Sequence, residues 1–175
     1  MKMMRPIFTT VVKMMTEHQF WMKADQISDS KKTIEEKAEL LAQLLKTAYD
    51  ENLKMVILYK GDHQIYMNLD DDHPNTIGNR GMLCYTSKRK AEADMRAKAY
   101  GLHWGYAYTQ DILNNLFNKA IIGNLTFNCY SMDVIISIPK ETLMKYIPGP
   151  YPLPDGLVDV PVSGYPVIPQ KYQRQ

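Results

Sequence analysis

Residues 82–100, MLCYTSKRKAEADMRAKAY, pass from four residues suited to a strand straight into a run that favours helix, with two hydroxyl side chains at the join. Met82 to Tyr85 reads as a strand, and Thr86 or Ser87 can cap the helix after it, because a short hydroxyl side chain accepts from the free amides of a first turn. Gly101 ends that helix. A strand feeding a helix in so few residues predicts a chain of mixed secondary structure, and the flanking segments extend the pattern.

Upstream, Thr33 and Glu36 form a capping box ahead of Ile34, Leu41, Leu44, Leu45 and Ala48, the clearest helix in the chain. The unbroken MVILY run, Met55 to Tyr59, predicts a buried strand, with Gln64 to Asn68 returning as its hairpin partner. Further upstream, Ile7, Phe8, Val11, Val12, Met15 and Met22 fall near one helical face, and the polar segment KADQISDSKK, 23–32, reads as a loop. Downstream, Trp104 to Tyr108 alternates like a short strand, and Thr109 can cap a helix carrying Ile112, Leu113, Leu116 and Phe117. Ile121 to Phe127 and Val134 to Ile138 predict two more strands around the turn-forming NCYSMD, and Pro139 opens a last helix through Tyr146.

Seven of the ten prolines lie between Pro148 and Pro169, and proline's missing amide rules out a long helix there. Leu157, Val160, Val162 and Ile168 are too apolar for a plain linker, so this tail is expected to pack on its own domain or on a neighbour. The expectation is a single α+β domain: a mixed sheet of about five or six strands flanked by helices. It divides into a helical extension over 1–32, the α+β domain over 33–147 and a proline-rich tail over 148–175.

With 175 residues, 45% of them hydrophobic, the chain suits one core. Twenty-one basic against nineteen acidic side chains give a net charge of +2, which advertises no particular partner. Neither a signal peptide nor a membrane span is recognisable, and Cys84 and Cys129 form no CxxC pair, so a cytoplasmic protein with reduced thiols is expected.

No GxGxxG, GKS/T, GxSxG or HExxH occurs, which removes the usual positive reasons to propose catalysis and implies no cofactor. Asp70, Asp71, Asp72 and His73 bring oxygen and imidazole ligands into one loop, but they lack the alternating spacing of a calcium loop, so a solvated acidic turn is the better account and no metal is assigned. Lys88, Arg89, Lys90, Arg96 and Lys98 make one helix basic. A solvated face explains them, and a nucleic-acid partner is disfavoured for want of an aromatic-studded strand platform.

The segments IGNRGMLCYTSKRKAEA, 77–93, and DILNNLFNKAIIGNLTFNCYSMDVIISIPKETL, 111–143, resemble the N-terminal domain of the SseB (enhanced serine sensitivity) family. The likeness rests on Thr86, Ser87 and Ala91, then Ile122, Gly123 and Asn128, before an apolar strand and a proline-led helix. It departs at Cys129, where that family usually has proline. The resemblance implies an α+β domain of a bacterial cytoplasmic protein with an accessory role, and it carries over no catalytic residue. Read locally, Gly123 permits close backbone approach and Asn128 suits a turn.

These observations favour a binding module over an enzyme, with Tyr85, Thr86, Ser87, Asn128 and Tyr130 as an exposed surface around two strand ends for a protein or small-molecule partner. Two other expectations stand beside it. One is a small hydrolase or transferase with Cys84 or Cys129 as nucleophile and His103 as base; the other is a homo-oligomer joined through its tail.

Overall fold

Met55, Val56, Ile57 and Leu58 are all buried, which puts β1 (Lys54–Lys60) at the middle of the sheet with apolar material on both faces. In the computed structural model of the chain, residues 14–60, 63–64, 66–68, 77–94, 99–129, 134–152 and 167–168 are described. On one side β1 pairs antiparallel with β5 (His103–Tyr108), in unbroken register from Lys54 opposite Tyr108 to Tyr59 opposite His103. On the other it meets the end of β4 (Arg80–Tyr85), with Val56 opposite Tyr85 and Ile57 opposite Cys84. Next to β4 lies β6 (Ile122–Phe127), parallel to it, and beyond that β7 (Ile136–Pro139), antiparallel to β6. The result is a mixed sheet in the order β5-β1-β4-β6-β7. Three short strands extend it: β2 (His63–Gln64) on β1, β3 (Tyr66–Asn68) on β4, and β8 (Val167–Ile168) parallel to β3.

Because side chains alternate along a strand, this sheet carries two different faces. Met55, Ile57, Met82, Cys84, Leu125, Phe127, Ile136 and Ile138 pack with Leu41, Leu45 and Ala48 of α2 (Ile34–Glu51). The same cluster takes Ile112, Leu113 and Leu116 of α4 (Thr109–Asn118) and Leu143 of α5 (Lys140–Tyr146). On the opposite face Val56, Leu58, Leu83 and Tyr85 pack with Ala91 of α3 (Lys88–Glu92), Leu102 and Cys129. The expected α+β domain is therefore what forms.

Several local expectations change. The segment 23–32 is largely helix: α1 runs over Glu17–Asp29. Its start is a capping box in which Thr16 Oγ1 accepts from the Gln19 amide while Gln19 Oε1 accepts from the Thr16 amide. Phe20, Ala24 and Ser28, four apart, are its buried stripe, and that stripe against the sheet outweighs the polar composition of the remainder. Residues 1–13, with Ile7, Phe8, Val11 and Val12 of the expected helical face, lie outside the described residues.

The hairpin expected after β1 is cut short: among the described residues only His63 and Gln64 pair back, and Tyr66 to Asn68 crosses to β4. Thr109 does not cap α4 but opens it, its hydroxyl donating to Leu53 O, and Tyr108 takes the cap position. Ile34 is 47% exposed, off the buried face of α2. At the start of the proline-rich tail, the Tyr151 ring stacks on Phe117 at 4.1 Å and its hydroxyl donates to Ile147 O. No helix among the described residues is long and apolar enough to cross a membrane.

Candidate functional site

Thr86 and Asn128 sit just beyond the ends of the parallel strands β4 and β6, so the sheet itself brings them together. Asn128 adopts a left-handed backbone at φ 62°, a conformation asparagine tolerates better than most residues, and its amide donates to Cys84 O at 2.9 Å. That twist turns its side chain inward. Oδ1 accepts from the Thr86 amide at 3.1 Å, and Nδ2 donates to Thr86 Oγ1 and to Ser28 Oγ, both at 3.1 Å.

The Thr86 hydroxyl in turn donates to Asp25 Oδ1. Arg89 Nη2 reaches Asp25 Oδ2 at 3.1 Å and Asp29 Oδ2 at 3.4 Å. Lys90, with only 2% of its side chain exposed, meets Asp29 Oδ1, and the buried Lys37 donates to Ser28 O at 2.7 Å. Two buried ammonium groups thus meet carboxylate and carbonyl oxygens in the last turn of α1, where a helix's negative end favours cations. The network pins α1 across the strand ends.

Most of the residues expected to present a surface are accordingly interior. Tyr85, Thr86, Ser87 and Asn128 are 2%, 1%, 7% and 0% exposed, and Tyr130 lies outside the described residues. Tyr85 donates to Asp94 Oδ2 at 2.6 Å. Ser87 is the cap of α3, accepting from the Lys90 amide, whereas Thr86 is engaged by α1. Thr86 and Asn128, their side-chain groups paired with each other and with α1, have little capacity left for a ligand. Sequence reasoning missed the partner, α1. Its signal was present in the capping box at Thr16 and Gln19 and in the Asp25 and Asp29 pair, one turn apart and facing Arg89 and Lys90.

What this seam does expose is the groove above it. Between α1 and α3 lies an open cavity of about 750 Å³, walled by Trp21 and Met22 on one side and Lys88 and Arg89 on the other, with Asp25 and Ser87 at its floor. His18 and Glu92 also line it. The volume is in the range of small-molecule sites, and the lining combines an apolar wall with a few convergent polar groups.

The cysteines lie elsewhere. Cys84 is 1% exposed, its Sγ is 3.5 Å from Thr126 O, and burial pushes its thiol well above the ordinary range, opposite to what a nucleophile needs. His103 is on β5 with its ring against Tyr59, so the whole of β1 separates it from Cys84, about two strand spacings of roughly 4.8 Å each. Cys129 is packed among Val56, Leu58, Leu83 and Tyr85.

Among the described residues no group of three or more His, Cys, Asp or Glu side chains could hold a metal, and Asp70 to His73 fall outside them. The basic helix is shorter than expected: α3 ends at Glu92, Lys90 is buried against Asp29, and Arg96 and Lys98 are not among the described residues. Compared with family models, with curated proteins and with solved structures, the chain matches none.

Proposed function

We propose that the chain is a non-catalytic binding module whose ligand enters the groove between α1 and α3. The observation that carries this is the groove's construction: an indole and a thioether facing two cationic side chains, over a floor where the Asp25 carboxylate is already held by Thr86 and Arg89. A paired floor holds the shape of the groove without competing for what enters it, which lowers the ordering cost of binding. Kinship with the SseB family, and with it a bacterial cytoplasmic setting, belongs to the same proposal. The succession of β4, the Ser87-capped α3, α4, β6 and the proline-led α5 follows the features that carried the resemblance.

The test is two-dimensional NMR of the labelled chain titrated with benzoate, indole-3-acetate and N-acetyl-tyrosine as probes. Shifts concentrated at the Trp21 indole, the Met22 methyl and the Ser87 amide, lost in Met22→Trp, are the expected result. Shifts confined to other surfaces, or none at millimolar probe, overturn the proposal.

A further inference from the structure

The β5 edge of the sheet carries a second surface, which shares Trp21 and Lys88 with the groove and goes beyond it. Strand β5 places Trp104, Tyr106 and Tyr108 at alternate positions and therefore on one face, with neighbouring positions separated by roughly 6.8 Å. Tyr106 and Tyr108 are each 44% exposed. The rings brace one another: Trp21 stacks on Tyr106 at 5.2 Å and 15°, and Trp104 meets Tyr106 edge-on at 5.4 Å. Trp21 is itself fixed by its indole N–H, which donates to Lys54 O at 3.0 Å.

A cation stands at each end of the row. Lys54 Nζ lies 5.4 Å from the Tyr108 ring centroid and Lys88 Nζ 5.5 Å from that of Trp104, and neither lysine is in an ion pair among the described residues. Of the nearby carboxylates, Asp25 and Asp29 are met by Arg89 and Lys90, while Glu17, which accepts from the Lys54 amide, keeps its charge beside that end of the row. Glu92, in the groove's lining, is a second acid in no ion pair among the described residues.

From this arrangement we infer that the β5 face binds single-stranded nucleic acid. A row of rings with a cation outside any ion pair at each end suits repeat units that bring both flat groups and negative charges, so that bases stack on the aromatics while phosphates reach Lys54 and Lys88. An acidic peptide would need the reverse ratio, many cations and few rings. A duplex hides the base faces that these rings would engage. The expectation against nucleic acid rested on the lack of an aromatic strand platform, and β5 supplies such a row.

The experiment is fluorescence anisotropy of a fluorescein-labelled twelve-residue oligothymidylate and its oligouridylate counterpart, with the full chain at 50 and 200 mM salt. Two phosphate contacts predict a log–log salt slope of about −1.4, roughly a sevenfold loss across that range. Tyr106→Ala with Tyr108→Ala is expected to weaken binding by about tenfold or more, while Tyr106→Phe with Tyr108→Phe keeps it, since only the ring is needed. Lys54→Gln with Lys88→Gln should flatten the salt dependence, and circular dichroism verifies that each variant is folded.

No binding at millimolar chain overturns the inference, as does binding indifferent to the rings or matched by polyglutamate. Failure here is distinguishable from failure of the groove reading. Oligonucleotide shifts are sought at Tyr106 and Tyr108, and small-molecule shifts at Met22 and Ser87.

Discussion

The two sides of β1 are built on opposite principles. Towards β4 and β6 the chain is closed: strand ends, α1 and α3 are joined by hydrogen bonds among buried groups, with ion pairs from Arg89 and Lys90 to α1 at the margin. Towards β5 it is open: a six-residue strand pairs on one edge only among the described residues and shows its aromatics to solvent. Polar residues at strand ends look functional in a sequence because loops so often carry function. Here they are spent on holding a helix, and the strand that looked ordinary carries the exposed chemistry.

The sharpest contrast concerns the closed side. Cys84 and Cys129 are both buried there, so iodoacetamide should reach them only when the structure opens, and modification is expected to be slower than in urea-unfolded chain by on the order of 10³-fold or more. The pH dependence has a definite sign. Burial raises the Cys84 pKa in the folded chain, so above the ordinary thiol value, roughly 8.5, the folded state holds a proton that the unfolded state has lost. Stability should therefore fall as pH rises beyond that value, and Cys84→Ala should reduce that part of the slope in urea titrations. A fast-reacting thiol at neutral pH would break the comparison.

Next in size is Gly123→Ala. A Cβ at Gly123 would stand 2.0 Å from Gly78 O and 2.8 Å from Gly78 C, backbone atoms that cannot rotate away. The start of β6 would have to separate from the turn before β4, at a cost of about 3 kcal/mol or more, read as a lowered urea midpoint. Asn128→Ala follows. It leaves the buried Thr86 amide without its acceptor and places a Cβ-bearing residue less tolerant of the left-handed region at φ 62°, for about 2–3 kcal/mol together. Asn128→Gly isolates the two causes, since it relieves the backbone and not the lost bonds. Equal losses in both variants would show that the hydrogen bonds are the larger part.

Much of this was legible in the sequence, and for identifiable reasons. The capping box of Thr33 and Glu36, the buried MVIL of β1, the close approach at Gly123 and the turn at Asn128 are local consequences of side-chain chemistry. What was not legible depends on pairing across distance. Nothing near Thr86 announces that Asp25, 61 residues earlier, will accept from its hydroxyl rather than Thr86 capping α3. Polar Lys23 to Asp29 reads as loop until a sheet end is present to bury Ala24 and Ser28. The groove needed both corrections, because one of its walls is the helix that composition concealed. The β5 row needed only the register, since Trp104, Tyr106 and Tyr108 share a face once the strand is paired.

The smallest expected effect is on the open side, from the same substitution that is most damaging on the closed one. In Gly105→Ala the new Cβ would lie 3.0 Å from Tyr59 Cε1, the edge of a half-buried ring that can swing outward, with no backbone atom among its nearest neighbours. The added methyl also removes the entropy that glycine loses in a strand, so the net change should stay within about 1 kcal/mol of zero in urea titration. Its placement matters more than its size. Gly105 lies opposite Ile57, on the face away from Trp104 and Tyr106, so the variant should leave the aromatic row and any oligonucleotide binding to it intact. A loss comparable to that of Gly123→Ala would mean that β5 is held as rigidly as β6, and the division of the sheet into a closed side and an open one would fail.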